Sequence, residues 1–400
     1  MVFEGNAGPY ALRVIIRTPS VIPARAEVIV RTLGRRVTRV SASAGLAETG
    51  EAGAPPPEAA VPTPGDSTLW SLQLWLMVQG SYAVRVAAEG PAGGGVLLVP
   101  ITAVARDVLK MDRATGLLLA VLALFLISGM LTIVGAAAGD ALAEPGVALD
   151  GGAVRRVQLA RLAAGFVLAL GIGAYGVWWR KVDRDHVRST FRPTRMQLAI
   201  RADGPRSLLR VSFSPEEPRS ISQPRRLATP LLPDHGKLLH LFAIRSDLAA
   251  MAHLHPIPLD SVTFETTLPP LPAGRYLFYG DIVHESGFAE TMVAQADLSA
   301  MAAAWTPRDP DDAVAVSEPD GGGALPDGAT LIWNGTDQGI IAGTDAPMTF
   351  TLRDAHGAVI PVEPYLGMAA HAVAVRAGGD VYVHLHPVGT TPMAAVRALA

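Results

Sequence analysis

Residues 116–138 read GLLLAVLALFLISGMLTIVGAAA, 23 residues without a charge. As a helix rising about 1.5 Å per residue, this run crosses a hydrocarbon core of about 30 Å. Nothing else limits the fold as much, because a helix with no polar face fits poorly on the surface of a water-soluble domain. A second run, LAAGFVLALGIGAYGVWW at 162–179, is bounded by Arg161 and Arg180. It ends on Trp178 and Trp179, where an interfacial aromatic anchor belongs. Small residues such as Gly165, Gly171 and Gly173 allow the two helices to pack closely. Neither run has an ionisable residue in its middle, which argues against a channel, proton relay or transporter. The expectation is a two-helix transmembrane hairpin within 106–189 that ties flanking domains to a lipid bilayer.

Two signals bear on orientation. The connector, about 139–156, holds Asp140, Glu144 and Asp150, with Arg155 and Arg156 at its end. The outer flanks carry Arg106, Lys110 and Arg113, then Arg180, Lys181 and Arg184. By itself this bias mildly favours both large domains in the cytoplasm. The flanking domains look like exported β-modules, and that weighs more. They are expected on the periplasmic side of a bacterial inner membrane. The N-terminus, MVFEGNAGPY, has no basic n-region and no apolar h-region. An export signal is therefore expected to have been removed, or to lie upstream of this chain.

A length of 400 residues suits two or three domains. With 40 glycines and 32 prolines, short strands and turns are favoured over long helices outside the membrane runs. The net charge of −3 leaves no electrostatic case for a general nucleic-acid binder. The absence of cysteine excludes disulfides, zinc ribbons, iron–sulfur clusters and thiol catalysis, and fits an exported chain.

Residues 1–105 alternate like strands at 10–17, 26–30, 72–78 and 82–87, with an Ala/Gly/Pro/Glu-rich loop at 44–67. They read as a small antiparallel β-sandwich of Ig-like size without histidine. A second β-module is expected over 190–300, with strands at 195–202, 207–213, 238–246, 252–256, 262–268, 274–284 and 290–298. Residues 301–328 read as an acidic Pro/Gly linker, in which Asp309, Asp311 and Asp312 resemble a calcium loop only loosely and, by spacing and composition, read as a solvated stretch. A third β-module runs from 329 to 400. The fold class is thus mainly β, with three Ig-like antiparallel sandwich modules and a transmembrane α-hairpin.

The feature richest in chemistry is a duplication. Gly236-Lys237-Leu238-Leu239-His240 is followed, after twelve residues, by His253-Leu254-His255-Pro256. Gly367-Met368-Ala369-Ala370-His371 is followed at the same spacing by His384-Leu385-His386-Pro387. The shared pattern G-x-x-x-H-x12-H-L-H-P, displaced by 131 residues, holds six of the ten histidines. It predicts that the second and third modules share a fold. In a strand, residues i and i+2 share a face, so His253 and His255 point the same way. A hairpin turning near 247–248 brings His240 opposite them, and a turn at Ala377-Gly378-Gly379-Asp380 does the same for His371, His384 and His386. Each proline ends its strand by removing a ladder donor.

Three converging imidazoles can hold a divalent transition metal. Copper is the first expectation and zinc the second. His284, with Asp281 and Glu285, lies near the first cluster in sequence, and Met368 and Met393 could add thioethers suited to Cu(I). His235 and Lys237 complicate the first copy, since a lysine would repel a cation. The competing reading is structural: rings hydrogen-bonded to backbone carbonyls or tyrosine beside Phe242 and Tyr279, in a scaffold for an envelope complex. The third module has only 13 residues after Pro387, against 44 from Pro256 to the boundary at 300. It is expected to be truncated, or completed by a neighbour along an uncovered edge.

No nucleophile elbow, P-loop, zincin, kinase or dinucleotide fingerprint is present, so an enzyme is not expected. A His284/Asp281 hydrolase pair lacks an oxyanion hole. The glycine runs at 93–95 and 321–323 read as turns, and Asn334-Gly335-Thr336 as a sequon too short to weigh.

The segments DHGKLLHLFAIRSDLAAMAHLHP (234–256), VHESGF (283–288) and EPYLGMAAHAVAVRAGGDVYVHLHPVGT (363–390) resemble bacterial membrane-anchored periplasmic proteins whose motifs carry no agreed activity. The stretch EGNAGPYALRVIIRTPSVIP (4–23) is similar to small exported β-domains of the YtkA-like and FixH-like kind. The resemblance implies an envelope location, a loose association with copper and cytochrome oxidase biology, and a respiratory-complex or other envelope protein as partner. It supplies no catalytic residue.

Overall fold

The computed structural model describes residues 1–141, 146, 148, 150–188, 190–214, 230–299, 305–316, 325, 327–334, 339, 341 and 349–399. The glycine run 321–323, two residues of the 334–336 sequon and much of the 301–328 stretch lie outside the described residues. The fold is mainly β, in several antiparallel sheets, with two long apolar helices. The chain divides into two compact units, one helical around 105–191 and one containing the β-modules.

In the helical unit, α1 spans Arg113–Asp140 and α2 spans Gly151–Arg188. Both are long and apolar enough to cross a membrane. Each starts on an aspartate cap: Asp112 accepts the Thr115 N–H at 2.9 Å, and Asp150 accepts the Ala153 N–H at 2.6 Å. Gly135 is buried, and a Cβ there would stand 2.1 Å from Arg161 Nε, so the bare backbone of α1 lets that side chain lie across it. Tyr175, Trp178 and Trp179 form a ring cluster with centroids 5.5–6.2 Å apart. The helix continues past the apolar run to Arg188, where Arg180, Lys181, Arg184 and Arg188 are nearly as good helix formers as leucine.

The N-terminal module packs a five-stranded sheet (Val2–Ala7, Tyr10–Arg17, Ala24–Leu33, Asp66–Leu76, Val61–Thr63) with a four-stranded one (Glu58–Ala59, Arg39–Leu46, Gly80–Gly90, Gly93–Ala103). Period-two alternation builds the core: Tyr10, Leu12, Val14 and Ile16 are buried while their neighbours are not. Five strands escape the sequence reading: Val2–Ala7, Arg39–Leu46, Glu58–Ala59, Val61–Thr63 and Gly93–Ala103. Arg39–Leu46 buries only Val40 beside Ala42, Ser43, Ala44 and Gly45, and Gly93–Ala103 begins in the glycine run. There Gly95 is required by close approach, since a Cβ would meet the Gly8 nitrogen at 2.2 Å.

The second module contains all seven expected strands. Arg195–Asp203, Arg206–Ser214, Thr263–Leu268 and Ile257–Pro258 form one sheet. The other is built on Gly274–His284, flanked by Ala289–Leu298 and by His240–Arg245, beyond which lies Ala250–Leu254. Leu209, Leu241, Phe264, Tyr276 and Phe278 lie in the core between them. The supposed linker adds an element of its own: Ala313–Val316 pairs with Ala250–Leu254 as an edge strand.

The third module, among the described residues, consists of two hairpins (Thr330–Asn334 with Thr349–Arg353, and Ala372–Val375 with Tyr382–Leu385) and the short helix α3, Met393–Leu399. The described elements alone do not complete a sandwich. The part that repeats is the histidine hairpin, and it repeats in register: Leu241 faces Leu254 and Phe242 faces His253, as Ala372 faces Leu385 and Val373 faces His384. The second hairpin lies on the outer face of the second module's sheet. Val373, Val375 and Tyr382 pack on Phe242, Ile244 and Tyr279 there, and Tyr382 stacks on Tyr279 at 4.2 Å. The turn tip is glycine for a steric reason. A Cβ on Gly379 would fall 2.0 Å from Leu277 Cδ1, and its carbonyl accepts the Tyr279 hydroxyl at 2.7 Å.

Candidate functional site

The two hairpins face one another, and this corrects the picture of two separate histidine sites. Within each, the expected triplet forms. Ring centroids of His240, His253 and His255 are 5.4, 4.4 and 5.1 Å apart, and those of His371, His384 and His386 are 5.5, 4.4 and 5.0 Å apart. Stacking hairpin on hairpin then merges the triplets. His240 comes within 5.8 Å of His384 and 6.5 Å of His371, and His253 within 6.2 Å of His371.

His235 joins as a seventh imidazole. It stands in a tight turn whose ends, Asp234 and Lys237, exchange both backbone hydrogen bonds. His235 and Gly236 both have positive φ, at 50° and 83°, the pattern of a I′ turn. The equivalent turn in the other repeat holds Leu366 and Gly367 at 53° and 77°. The motif glycine is thus explained by a left-handed position, and His235 is carried to 5.2 Å from His371 and 5.3 Å from His386.

Hydrogen bonds assign several ring nitrogens. The Asp234 carbonyl can only accept, so His240 Nε2, 3.0 Å away, carries its hydrogen. That leaves the Nδ1 lone pair facing inward, 3.1 Å from His253 Nε2. In the second triplet, His384 Nδ1 donates to Asp281 Oδ2 at 3.2 Å, which leaves Nε2 as its lone-pair nitrogen. Asp281 is held in turn by the hydroxyls of Tyr382 at 3.0 Å and Thr291 at 2.6 Å. A carboxylate behind an imidazole is the usual way a metal-ligating histidine is oriented. The Tyr365 hydroxyl lies 3.2 Å from His253 Nδ1, and burial first and nearby aspartates second raise its pKa, so it stays protonated.

Eight ring nitrogens of the cluster are buried and have no hydrogen-bond partner among the described residues: His235 Nε2, His384 Nε2, and both nitrogens of His255, His371 and His386, although His235 Nε2 lies 3.8 Å from Asp234 Oδ1 and His255 Nδ1 3.3 Å from Asp312 Oδ1. The Thr391 backbone lies close enough to His386 to favour its charged form slightly, but outside hydrogen-bond geometry. An unsatisfied buried polar group costs about 1–3 kcal/mol, against about 5–15 kcal/mol for the stability of a whole domain. Structural histidines pair their nitrogens, and most of these do not.

Ligand-capable atoms of His240, His253 and His255 all lie within 4.8 Å of one another, as do those of His235, His371 and His386. Nitrogens bound at about 2.0–2.1 Å to one ion are at most about 4.2 Å apart, so closure takes shifts below about an ångström. Burial first, and repulsion among neighbouring imidazoles second, keeps His240 and His253 well below the ordinary histidine pKa and puts His371 near about 4 and His386 near about 3. These four are neutral at pH 7, the form that binds metal.

Not every expected ligand is gathered. His284 packs on Phe288 at 5.8 Å, with its Nε2 3.8 Å from Glu290, in none of the converging groups. Asp281, its supposed partner, belongs to His384 instead. Met368 closes the Tyr365–Met368 turn through backbone bonds at the position equivalent to Lys237. Lys237 does not oppose a cation with a bare charge: its Nζ sits 2.6 Å from both Asp309 oxygens and 2.8 Å from Asp311. The stretch expected to be solvated is folded in, with the Asp312 side chain fully buried and that of Asp309 14% exposed. These aspartates reach the site through the edge strand Ala313–Val316, a long-range pairing with no local signal.

A domain of unknown function, DUF8832, matches residues 324–398, which include His371, His384 and His386. No curated protein matches the chain.

Proposed function

We propose that this chain is a membrane-anchored binding protein for a transition metal, with copper as the first choice and zinc the second, acting in storage or delivery at the bacterial envelope. One observation carries the reading: seven imidazoles from two repeats lie side by side, and five of them leave eight buried ring nitrogens with no hydrogen-bond partner among the described residues. An all-imidazole donor set suits Cu and Zn better than Mg or Ca. His240, His253 and His255 are the first ligand set, and His371 and His386 with His235 the second, with His384 between them. Met368 and His284 are weaker candidates for the same role. The two apolar helices supply the anchor, and placing the β-modules in the periplasm rests on their resemblance to exported domains. A respiratory or other envelope complex is the partner this reading favours. No step of bond making is assigned to the chain.

The test is titration of the full chain in detergent with Cu(I) against a chromophoric competitor, and separately with Zn(II). Changing His253 and His255 together to Ala should abolish the tightest class of site. Unchanged stoichiometry, with only a loss of stability, would favour the scaffold reading instead.

A further inference from the structure

We propose a second cation site beside the imidazole triad, formed by His255, Asp309 and Asp312, that takes a divalent ion such as Zn(II) in place of the ammonium of Lys237. The proposal rests on the metal-binding reading of the histidine cluster and adds a donor set of different chemistry; the neutral ring of His255 has one lone pair, so it serves either this site or the imidazole triad at one time. One ligand-capable atom from each of the three residues lies within 4.8 Å of the others. The Asp312 side chain is fully buried; its Oδ1 accepts the His255 backbone N–H at 2.7 Å, while its Oδ2 has no hydrogen-bond partner among the described residues. His255 is 1% exposed, and neither ring nitrogen makes a hydrogen bond, although Nδ1 lies 3.3 Å from Asp312 Oδ1 and 4.0 Å from Asp309 Oδ1. A buried carboxylate oxygen and buried ring nitrogens without hydrogen bonds are costly, and a cation bound among them would satisfy both.

One cation is already on the rim. Lys237 binds both oxygens of Asp309 and reaches Asp311. Burial alone would lower the Lys237 pKa, but hydrogen bonds to Asp309 and Asp311 outweigh it and hold the ammonium charged. The turn does not require this lysine, since the equivalent position of the other repeat is Met368. Its ammonium therefore acts as a tethered counter-ion, and a divalent ion must displace it from Asp309 to gain that carboxylate. One nitrogen and two carboxylates suit Zn(II) or Cu(II), whereas Cu(I) prefers the softer all-imidazole set.

The experiment uses the full chain in detergent and Zn(II) as the probe, with Cu(I) binding measured in parallel. Lys237→Met removes the competing ammonium and should tighten one class of Zn(II) site about tenfold or more. Asp312→Asn should remove that class, with Cu(I) binding unchanged in that variant. Equal Zn(II) affinity in wild type and Lys237→Met overturns the proposal, and so does an Asp312→Asn protein that folds and keeps every Zn(II) site. If Asp312→Asn fails to fold, the Lys237→Met comparison decides alone. Failure of wild type to bind Cu(I) would count against the imidazole reading, and the Zn(II) comparison would still decide this one.

Discussion

The metal-free histidine site should be labile to mild acid, by an amount that follows from its burial. His371 and His386 hold pKa values near about 4 and about 3, because burial first and adjacent imidazoles second disfavour their charged forms. An unfolded histidine titrates near about 6.5. Between those values the unfolded segment binds protons that the folded one refuses. The stabilisation is therefore complete above about pH 6.5 and is lost as pH falls toward 4 and 3. Taken singly, each ring would contribute about 3 kcal/mol of this loss by pH 4, at about 1.36 kcal/mol per pKa unit. The rings are 5.0 Å apart and titrate together, and solvent screens part of the effect. About 2–3 kcal/mol for the pair is the realistic figure. The assay is hydrogen exchange on the hairpin Ala372–Val375/Tyr382–Leu385 in chelator-treated protein at pH 7, 5.5 and 4, corrected for intrinsic rates. A His371→Gln/His386→Gln variant serves as reference. Wild type should lose hairpin protection faster than the variant as pH falls. Parallel loss in both would refute the claim that buried neutral imidazoles set the acid response.

Other outcomes follow from the same contacts. Asp281→Asn weakens the acceptor behind His384, and should lower Cu(I) affinity about 10–100-fold, read by probe competition at unchanged melting temperature. Phe242, 2% exposed and stacked on His253 at 4.1 Å, should cost about 3–5 kcal/mol on truncation to Ala, measured by urea unfolding. Tyr279→Phe deletes the bond to the Gly379 carbonyl and should cost about 1 kcal/mol, confined by hydrogen exchange to the second histidine hairpin. Arginine at Leu124 in the middle of α1 should cost about 2.5–3.5 kcal/mol of membrane insertion, and a glycosylation-mapping assay should show α1 spanning less often.

Much of the architecture is legible in the residues, and the exceptions have physical causes. Strands such as Tyr10–Arg17 alternate cleanly because one face is buried. The hairpin register is legible because identical spacing in two copies fixes which residues can face across a turn. Arg39–Leu46 is missed because, apart from Val40, its buried positions are small side chains that carry little β-branched signature. The union of the two triplets is missed for a different reason. It depends on Tyr382 stacking on Tyr279 and on a glycine letting the turn settle over Leu277, and no local pattern encodes either. Asp309 and Asp312 read as a solvated run because their composition is that of a linker. Only the pairing of the following strand with Ala250–Leu254 turns them inward.

The most direct measurement is X-ray absorption at the metal edge of the copper-loaded full chain, paired with the variant lacking His253 and His255. The account predicts a first shell of about three imidazole nitrogens near about 2.0 Å, with the multiple-scattering signature of histidine, lost or remodelled in the variant. A shell of water and carboxylate oxygens, or one indifferent to those two histidines, would contradict it.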